Sequence, residues 1–246
     1  MPGKLDKFGP FLQLHPLSTL GDPEHASLEV GLALEMLGNS RSSFQNMGYD
    51  TANPVFGMLP GYESRSINGA TNNSLWQRAT NIATYLTSPS LRDLTLRRVA
   101  AEIEASDEQV VLLAHGLGSL VGYELMLRRP DLPVRCLVTL GSPLGLAGVR
   151  AAFAESQYGR NSGTLPFPAK LPRWINLYNS ADTVASKHLL SPVCATACAK
   201  DSRHIEDIDT GKLGFPYVAD IFNGNHLATY LASKTAGIVL RSVVEA

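Results

Sequence analysis

The hydrophobic residues of the chain fall into short unbroken runs and longer stretches with helical spacing. The clearest case is VVLLAHGLGSLVGYELML, residues 110–127, in which an apolar run of strand length leads through small residues into a helical pattern. The run is long enough to resemble a membrane span. Its three glycines, its histidine and Glu124 instead favour a buried strand, a sharp turn and a helix that Pro130 stops.

Other segments repeat this alternation. Apolar strands are predicted in VRCLVTLGSP and RWINLYNSAD, an edge strand in HIEDID, and weaker strands in GPFLQLHPL and NPVFGMLP. Helices are predicted in PEHASLEVGLALEMLGNS, WQRATNIATYL, LRDLTLRRVAAEIEA, LAGVRAAFAES and the final NHLATYLASKTAGIVLRSVVEA. Residues 61–75, rich in Gly, Asn and Ser, are predicted to form a long exposed loop.

This order of elements predicts the α/β fold class. The central sheet should be mostly parallel and covered by helices on both faces, because nearly unbroken apolar strands are typical of sheets buried on both sides. A ligand is then expected at the carboxyl ends of the strands.

Composition narrows the class of protein. The 246 residues are expected to form a single domain, 1–246, and 44% hydrophobic residues suffice for a core. With 21 basic and 22 acidic residues, neither a nucleic-acid footprint nor a polybasic membrane patch is indicated. The N-terminal segment lacks the features of a signal peptide, and three cysteines argue against a disulfide framework, with Cys136 expected as a buried thiol. A soluble, cytoplasmic protein without a membrane span is the expectation.

The turn after the first strong strand is built for tight bending. Ala114 and Gly118 flank a tip occupied by Gly116, and small side chains at all three positions allow the chain to pass sharply from strand to helix. A bare glycine turn before a helix can also cradle a phosphate. The segment HGLGS, however, lacks the lysine of a P-loop and the full G-x-G-x-x-G spacing.

Four pieces in chain order resemble the α/β-hydrolase superfamily, particularly its lipase- and esterase-like members. They are AHGLGS, LVTLGSPLGL, NLYNSAD and NHLATYL, and the resemblance extends from about residue 80 to the end. It implies an α/β-hydrolase fold with reduced N-terminal strands and a small cap or none.

In that family the turn is a nucleophile elbow, G-x-S-x-G, with serine on a strained backbone. The resemblance puts the serine at position 116, where this chain has Gly116. Glycine relieves a backbone strain of about 1–3 kcal/mol, but it leaves no oxygen to attack an acyl group. Ser119 falls on the first helical turn and is no substitute in this register.

The resemblance also places the partners of the missing nucleophile. Asp182 follows the strand RWINLYNS as the acid, and His226 precedes the last helix as the base. In such a pair the carboxylate fixes the imidazole tautomer, and the imidazole carries the proton. Asp207 and Asp209 are competing acids.

An oxyanion hole would take one backbone N–H from Leu117 and a second from Leu17. The family usually has His-Gly after its first strand, whereas this chain has His15 followed by a proline, which has no N–H to donate. His15 and His115 are the polar residues expected at the substrate pocket.

One further cluster has metal-ligand residue types. His188, Cys194, Cys198 and His204 follow the spacing H-x5-C-x3-C-x5-H, which matches no common zinc motif. We therefore expect neither a metal nor a cofactor.

Three functions remain open. In the first, the chain is an esterase-type protein whose nucleophile is replaced by Gly116, by engineering or naturally. Alternatively, it is a serine-independent enzyme in which His226 and Asp182 activate water or remove a substrate proton, driving an elimination or a cyclisation, or it is a non-catalytic binding protein. The expected ligand is a small, neutral acyl, ester or polyketide-like molecule, with candidate wall residues Phe153, Tyr158, Phe167 and Trp174.

Overall fold

The computed structural model describes residues 25, 27–36, 70–153, 164–179, 182, 184–185, 189–195, 205–211 and 226–245. At residues 70–77, 195, 226, 228 and 229 it describes the backbone only.

Seven α-helices lie in this described part of the chain. They are α1 (27–36), α2 (Ala70–Thr87), α3 (Pro89–Glu104), α4 (Leu117–Arg128), α5 (Ala147–Phe153), α6 (His226–Leu231) and α7 (Lys234–Val244). A short 3-10 helix, Pro143–Gly145, precedes α5.

The strands form two parallel sheets. They are β1 (Val110–His115), β2 (Val134–Leu140), β3 (Leu165–Pro166), β4 (Trp174–Tyr178), β5 (Cys194–Ala195) and β6 (Ile205–Asp209). Within the described residues, the main sheet has four strands in the order β1-β2-β4-β6, and every neighbouring pair is parallel. The pair β3 and β5 forms the small second sheet.

Apolar side chains project from both faces of the main sheet. On β2, Leu137 packs with the helices α1 to α5, whereas Val138 and Leu140 join a second cluster with Tyr230 and Val243 of α6 and α7. Helices therefore cover both faces, and the predicted α/β class with a parallel sheet is confirmed. The finer α/β-hydrolase assignment stays a proposal.

The predicted loop at residues 61–75 is wrong from Ala70 onward, because α2 begins there. The Asn- and Ser-rich start of this helix has weak helix propensity. Its second half, however, buries Ala79, Ile82, Ala83 and Tyr85 in the core. Packing of that half stabilises the whole helix despite its polar first turns. Residues 61–69 and the strand candidates GPFLQLHPL and NPVFGMLP lie outside the described residues.

A buried ion-pair cluster, which we call the Glu124 cluster, joins α2, α3 and α4. The fully buried Glu124 carboxylate accepts hydrogen bonds from Arg92 at 2.8 and 3.2 Å and from the Tyr85 hydroxyl at 2.8 Å. Arg128 pairs with the same carboxylate at 2.7 Å. The Arg92 guanidinium also lies 5.6 Å from the centre of the Phe153 ring. The cluster fixes the helix that follows Gly116 against its neighbours.

The segment 110–127 is divided into strand and helix as the sequence predicts. No helix in the part of the chain that the structure describes is both long and apolar enough to cross a membrane.

Candidate functional site

The turn between β1 and α4 has an unusual backbone. Gly116 has φ 54° and ψ −124°, a conformation that residues with a side chain rarely adopt. Its N–H donates to the Leu140 carbonyl at 2.9 Å, and its carbonyl accepts from the Ser119 N–H at 2.9 Å. These bonds tie the turn to β2 on one side and to the first turn of α4 on the other.

Ser119 is part of this anchoring. Its hydroxyl is buried and donates to the Ala114 carbonyl at 2.9 Å, which links the end of β1 to α4. The hydroxyl is engaged within the turn, in agreement with the view that it cannot replace a residue-116 nucleophile.

A cavity of about 310 Å³ opens above the turn. An ideal Cβ added at Gly116 would meet none of the described residues within 4 Å, its two chain neighbours aside. Residues of α2, of the turn and of the segment after β2 supply the walls: Arg78, Asn81, Ile82, His115, Gly116, Leu117, Gly141, Pro143 and Val184.

Asp182 lies in the segment after β4, the position predicted for the acid. Its side chain is fully buried. One carboxylate oxygen accepts from the Val184 N–H at 2.8 Å, and the other accepts from the Tyr230 hydroxyl at 2.7 Å. The carboxylate is thereby fixed in one orientation by donors from two different segments.

Tyr230 and Arg78 set the electrostatics around this acid. Burial, the Asp182 charge and the hydrogen bond to Asp182 raise the pKa of the fully buried Tyr230 well above its usual value, so its hydroxyl stays protonated. Burial lowers the pKa of Arg78, while the Asp182 carboxylate opposes that shift. Arg78 therefore brings a guanidinium from the cavity wall into the field of the acid.

Asn179 holds the segments after β4 and β6 together. It is fully buried, and its side-chain amide donates to the Thr210 hydroxyl at 3.1 Å and to the Gly211 carbonyl at 2.8 Å. Its own carbonyl accepts from the Asp182 N–H at 2.9 Å. These hydrogen bonds of Asn179 hold the backbone at Asp182 against the segment that follows β6.

His226 is the first residue of α6, and its side chain lies outside what the structure describes. Tyr230, four residues later in the same helix, contacts Asp182. Positions four apart lie on the same side of a helix, so position 226 is one turn away from the residue that contacts the acid.

The competing acids serve other parts of the fold. Asp207 accepts from the Leu190 N–H at 3.0 Å, from the Ser191 N–H at 2.8 Å and from the Asn176 amide at 2.7 Å. Asp209 accepts from the Gly211 N–H at 2.9 Å, within a turn. Among the three candidate acids, Asp182 is the one that contacts Tyr230.

Of the predicted oxyanion and pocket residues, Leu117 and His115 line the cavity. The His115 ring also meets the Tyr230 ring edge-on, with 6.2 Å between centroids. Leu17 and His15 lie outside the described residues.

The candidate wall aromatics belong elsewhere. Phe153, Phe167 and Trp174 are buried in the core beside Tyr123, so their expected place in the pocket wall is wrong. Their size favours core burial over exposure at a cavity. Tyr158 lies outside the described residues.

Only Cys194 of the candidate metal set falls within the described residues. Burial raises the pKa of its thiol to about 12, which disfavours the thiolate that metal binding requires. Throughout the part of the chain that the structure describes, no group of three or more His, Cys, Asp and Glu side chains is placed to hold a metal ion.

Three residues of the site escaped the sequence analysis. Arg78 and Asn81 lie three apart on α2, and their helical spacing with Ile82 was the available signal. Tyr230 was concealed because a tyrosine at helical spacing after a histidine is equally typical of a core residue.

No family model matches the chain. No curated protein and no solved structure gives a match either.

Proposed function

We propose that this chain is an α/β-hydrolase-fold protein of the esterase and lipase type in which Gly116 occupies the nucleophile position and His226 and Asp182 form a retained base and acid. The backbone of Gly116 carries the proposal. A residue at the tip of a strand-to-helix turn, with φ 54° and an open cavity above it, has the geometry required of an elbow nucleophile.

The chemistry of such a frame follows from its parts. A hydroxyl at position 116 would attack an acyl carbon while His226 accepts the hydroxyl proton, and the Leu117 N–H would bind the developing oxyanion. The imidazolium would then protonate the leaving alcohol, and water would release the acyl group by the same steps. With glycine in place, the covalent steps have no nucleophile.

A second candidate is supported by the state of the acid. Asp182 is fully buried and held by the Val184 amide and the Tyr230 hydroxyl. Burial of a carboxylate costs free energy unless it is well paired. Asp182 is nevertheless present and oriented in a chain whose Gly116 has no hydroxyl to act as a nucleophile. His226 oriented by Asp182 would act as a general base on water or on a substrate C–H, which is worth roughly 10² to 10⁴-fold in rate.

The decisive experiment supplies the missing hydroxyl. We expect Gly116→Ser to hydrolyse activated short- and medium-chain esters and to gain one covalent adduct with an alkyl fluorophosphonate in intact-mass measurements. The control Gly116→Ala carries the same Cβ and the same backbone strain of about 1–3 kcal/mol, but no oxygen. It should show neither reaction.

The outcomes separate the candidates. Activity confined to the serine variant, and lost in Gly116→Ser with His226→Ala, supports the acyl-transfer frame. Turnover by the glycine protein that disappears in His226→Ala alone supports the general base. A folded serine variant that neither turns over an ester nor reacts with the fluorophosphonate contradicts the acyl-transfer proposal.

A further inference from the structure

We infer that the cavity above Gly116 recognises the carboxylate of a small monoanionic organic acid, or of an ester that carries one, through Arg78 and Asn81 of α2. The inference concerns the same cavity as the proposed function and names its ligand class. Binding of the free acid needs no reaction, so recognition can be tested separately from catalysis.

The first observation in favour of this inference is that the helix α2 supplies two polar side chains to the cavity wall. Arg78 and Asn81 face the cavity from one side of α2, since residues three apart on a helix are neighbours. A guanidinium presents paired N–H donors that match the two oxygens of a carboxylate, and a side-chain amide adds a further donor. Among the described wall residues Arg78 is the charged one, and it places a cationic group in this part of the wall.

The second support is the turn on the other wall. Gly116 and Leu117 begin the 12-residue helix α4, whose N-terminus favours negative charge. The absence of a side chain at Gly116 leaves the backbone accessible to a ligand atom. Helix and guanidinium thus act in the same direction on whatever occupies the cavity.

The number of charges in the region limits the ligand. Asp182 lies within the electrostatic reach of Arg78 and offsets part of its charge. Repulsion from the acid grows with the charge of the ligand, so a single carboxylate is favoured over a nucleotide or another polyanion. At about 310 Å³, and with Ile82, Pro143 and Val184 on the wall, the rest of the ligand should be small and apolar.

This inference differs from the neutral ligand expected from the sequence, which stays a prediction. That prediction rested on the lack of a phosphate-binding motif, and a single arginine on a helix carries no motif. The sequence pattern does not indicate that the Arg78 guanidinium lines a cavity, which the structure shows.

Hexanoate is the probe, with hexanamide and hexan-1-ol as uncharged molecules of similar shape, and affinity is measured by calorimetric titration at low salt. We expect the wild-type protein to bind hexanoate about tenfold or more tightly than hexanamide, as for a hydrogen-bonded charge. Arg78→Gln should remove that preference while leaving hexanamide binding unchanged. Arg98→Gln is the matched control, because Arg98 is an exposed arginine of α3 that does not line the cavity.

Asn81→Asp tests the same inference if the Arg78 variant does not fold. Asn81 is exposed at the cavity wall, so an isosteric acid there should leave the fold intact and still weaken hexanoate binding several-fold. Equal affinities for hexanoate and hexanamide, unchanged hexanoate binding in Asn81→Asp, or no hexanoate binding by the folded wild-type protein would each overturn the inference.

The two proposals fail separately. If hexanoate binding depends on Arg78 but Gly116→Ser remains unreactive, recognition stands and the acyl-transfer frame falls. If Gly116→Ser hydrolyses neutral esters while hexanoate shows no preference over hexanamide, the frame stands and the carboxylate site falls.

Discussion

Glu124 and Asp182 are both fully buried carboxylates, and each accepts a hydrogen bond from a tyrosine hydroxyl, at 2.8 and 2.7 Å. Their other partners differ. Glu124 is paired with the guanidinium groups of Arg92 and Arg128 within the helical layer. Asp182 also accepts from the uncharged backbone amide of Val184, a residue that lines the cavity.

The difference separates a structural acid from a candidate functional one. Direct ion pairs neutralise Glu124 among regular helices, which fixes the helices and leaves little field for a ligand. The Val184 amide and the Tyr230 hydroxyl that orient Asp182 are uncharged, and the Asp182 charge acts on Arg78 at the cavity wall. Burial alone, which is equal for both residues, does not distinguish the two roles.

The largest expected effect tests this contrast directly. Glu124→Gln should lower the free energy of unfolding by about 3–5 kcal/mol, because Arg92 would stay buried without its counter-charge. Asp182→Asn should cost less, about 1–3 kcal/mol, since the Val184 amide and the Tyr230 hydroxyl that donate to it are uncharged. Urea unfolding of both variants measures the difference, with Glu104→Gln at an exposed pair as the control for carboxylate removal. Equal losses at positions 124 and 182 would break the comparison.

The two tyrosines provide a smaller and sharper test. Tyr230→Phe removes a neutral donor from the fully buried Asp182 carboxylate and should cost about 1–3 kcal/mol. Tyr85→Phe should cost about 1 kcal/mol, since the same oxygen of Glu124 still accepts from Arg92 at 3.2 Å. A larger loss in Tyr85→Phe than in Tyr230→Phe, measured by the same unfolding method, would contradict the assignment of roles.

Alkaline pH should show the smallest effect. The pKa values of Tyr85 and Tyr230 are raised by burial and by the adjacent carboxylate. Their contribution to stability is therefore complete below the ordinary phenol pKa of about 10 and is lost as pH rises above it, by at most about 1.4 kcal/mol per pH unit for each phenol. Unfolding measured from pH 8 to 11 should give a shallower decline in either phenylalanine variant. Identical slopes in wild type and variants would refute this origin of the decline.

Local pattern was sufficient for most of the fold. The apolar runs that form β1, β2 and β4 are nearly unbroken, as predicted for strands buried on both faces. The helix α4 ends at Arg128, just before Pro130, whose ring nitrogen has no hydrogen to donate. The start of α2 at Ala70 was missed because distant packing of its second half overrides the polar composition of its first turns.

The site was less accessible to sequence reasoning. Gly116 and Asp182 were found because a turn and a strand end mark their positions along the chain. Arg78, Asn81 and Tyr230 become neighbours of those residues only through tertiary packing. The helical spacing of Arg78 and Asn81 with Ile82 indicates a shared face of α2 but not what that face contacts. The aromatic residues expected at the pocket were misplaced for the same reason, since residue type does not tell which side of a sheet a ring will face.

The parallel order β1-β2-β4-β6 has a consequence for how the molecule reaches its native state. Every pairing in this sheet joins strands separated by an intervening stretch of chain, so each pairing closes a long loop before it gains any contact energy. Folding should therefore be slow for a chain of this size. Since the turn at Gly116, the acid after β4 and the helix after β6 meet at one sheet edge, a competent cavity should emerge late, when the last strand has docked.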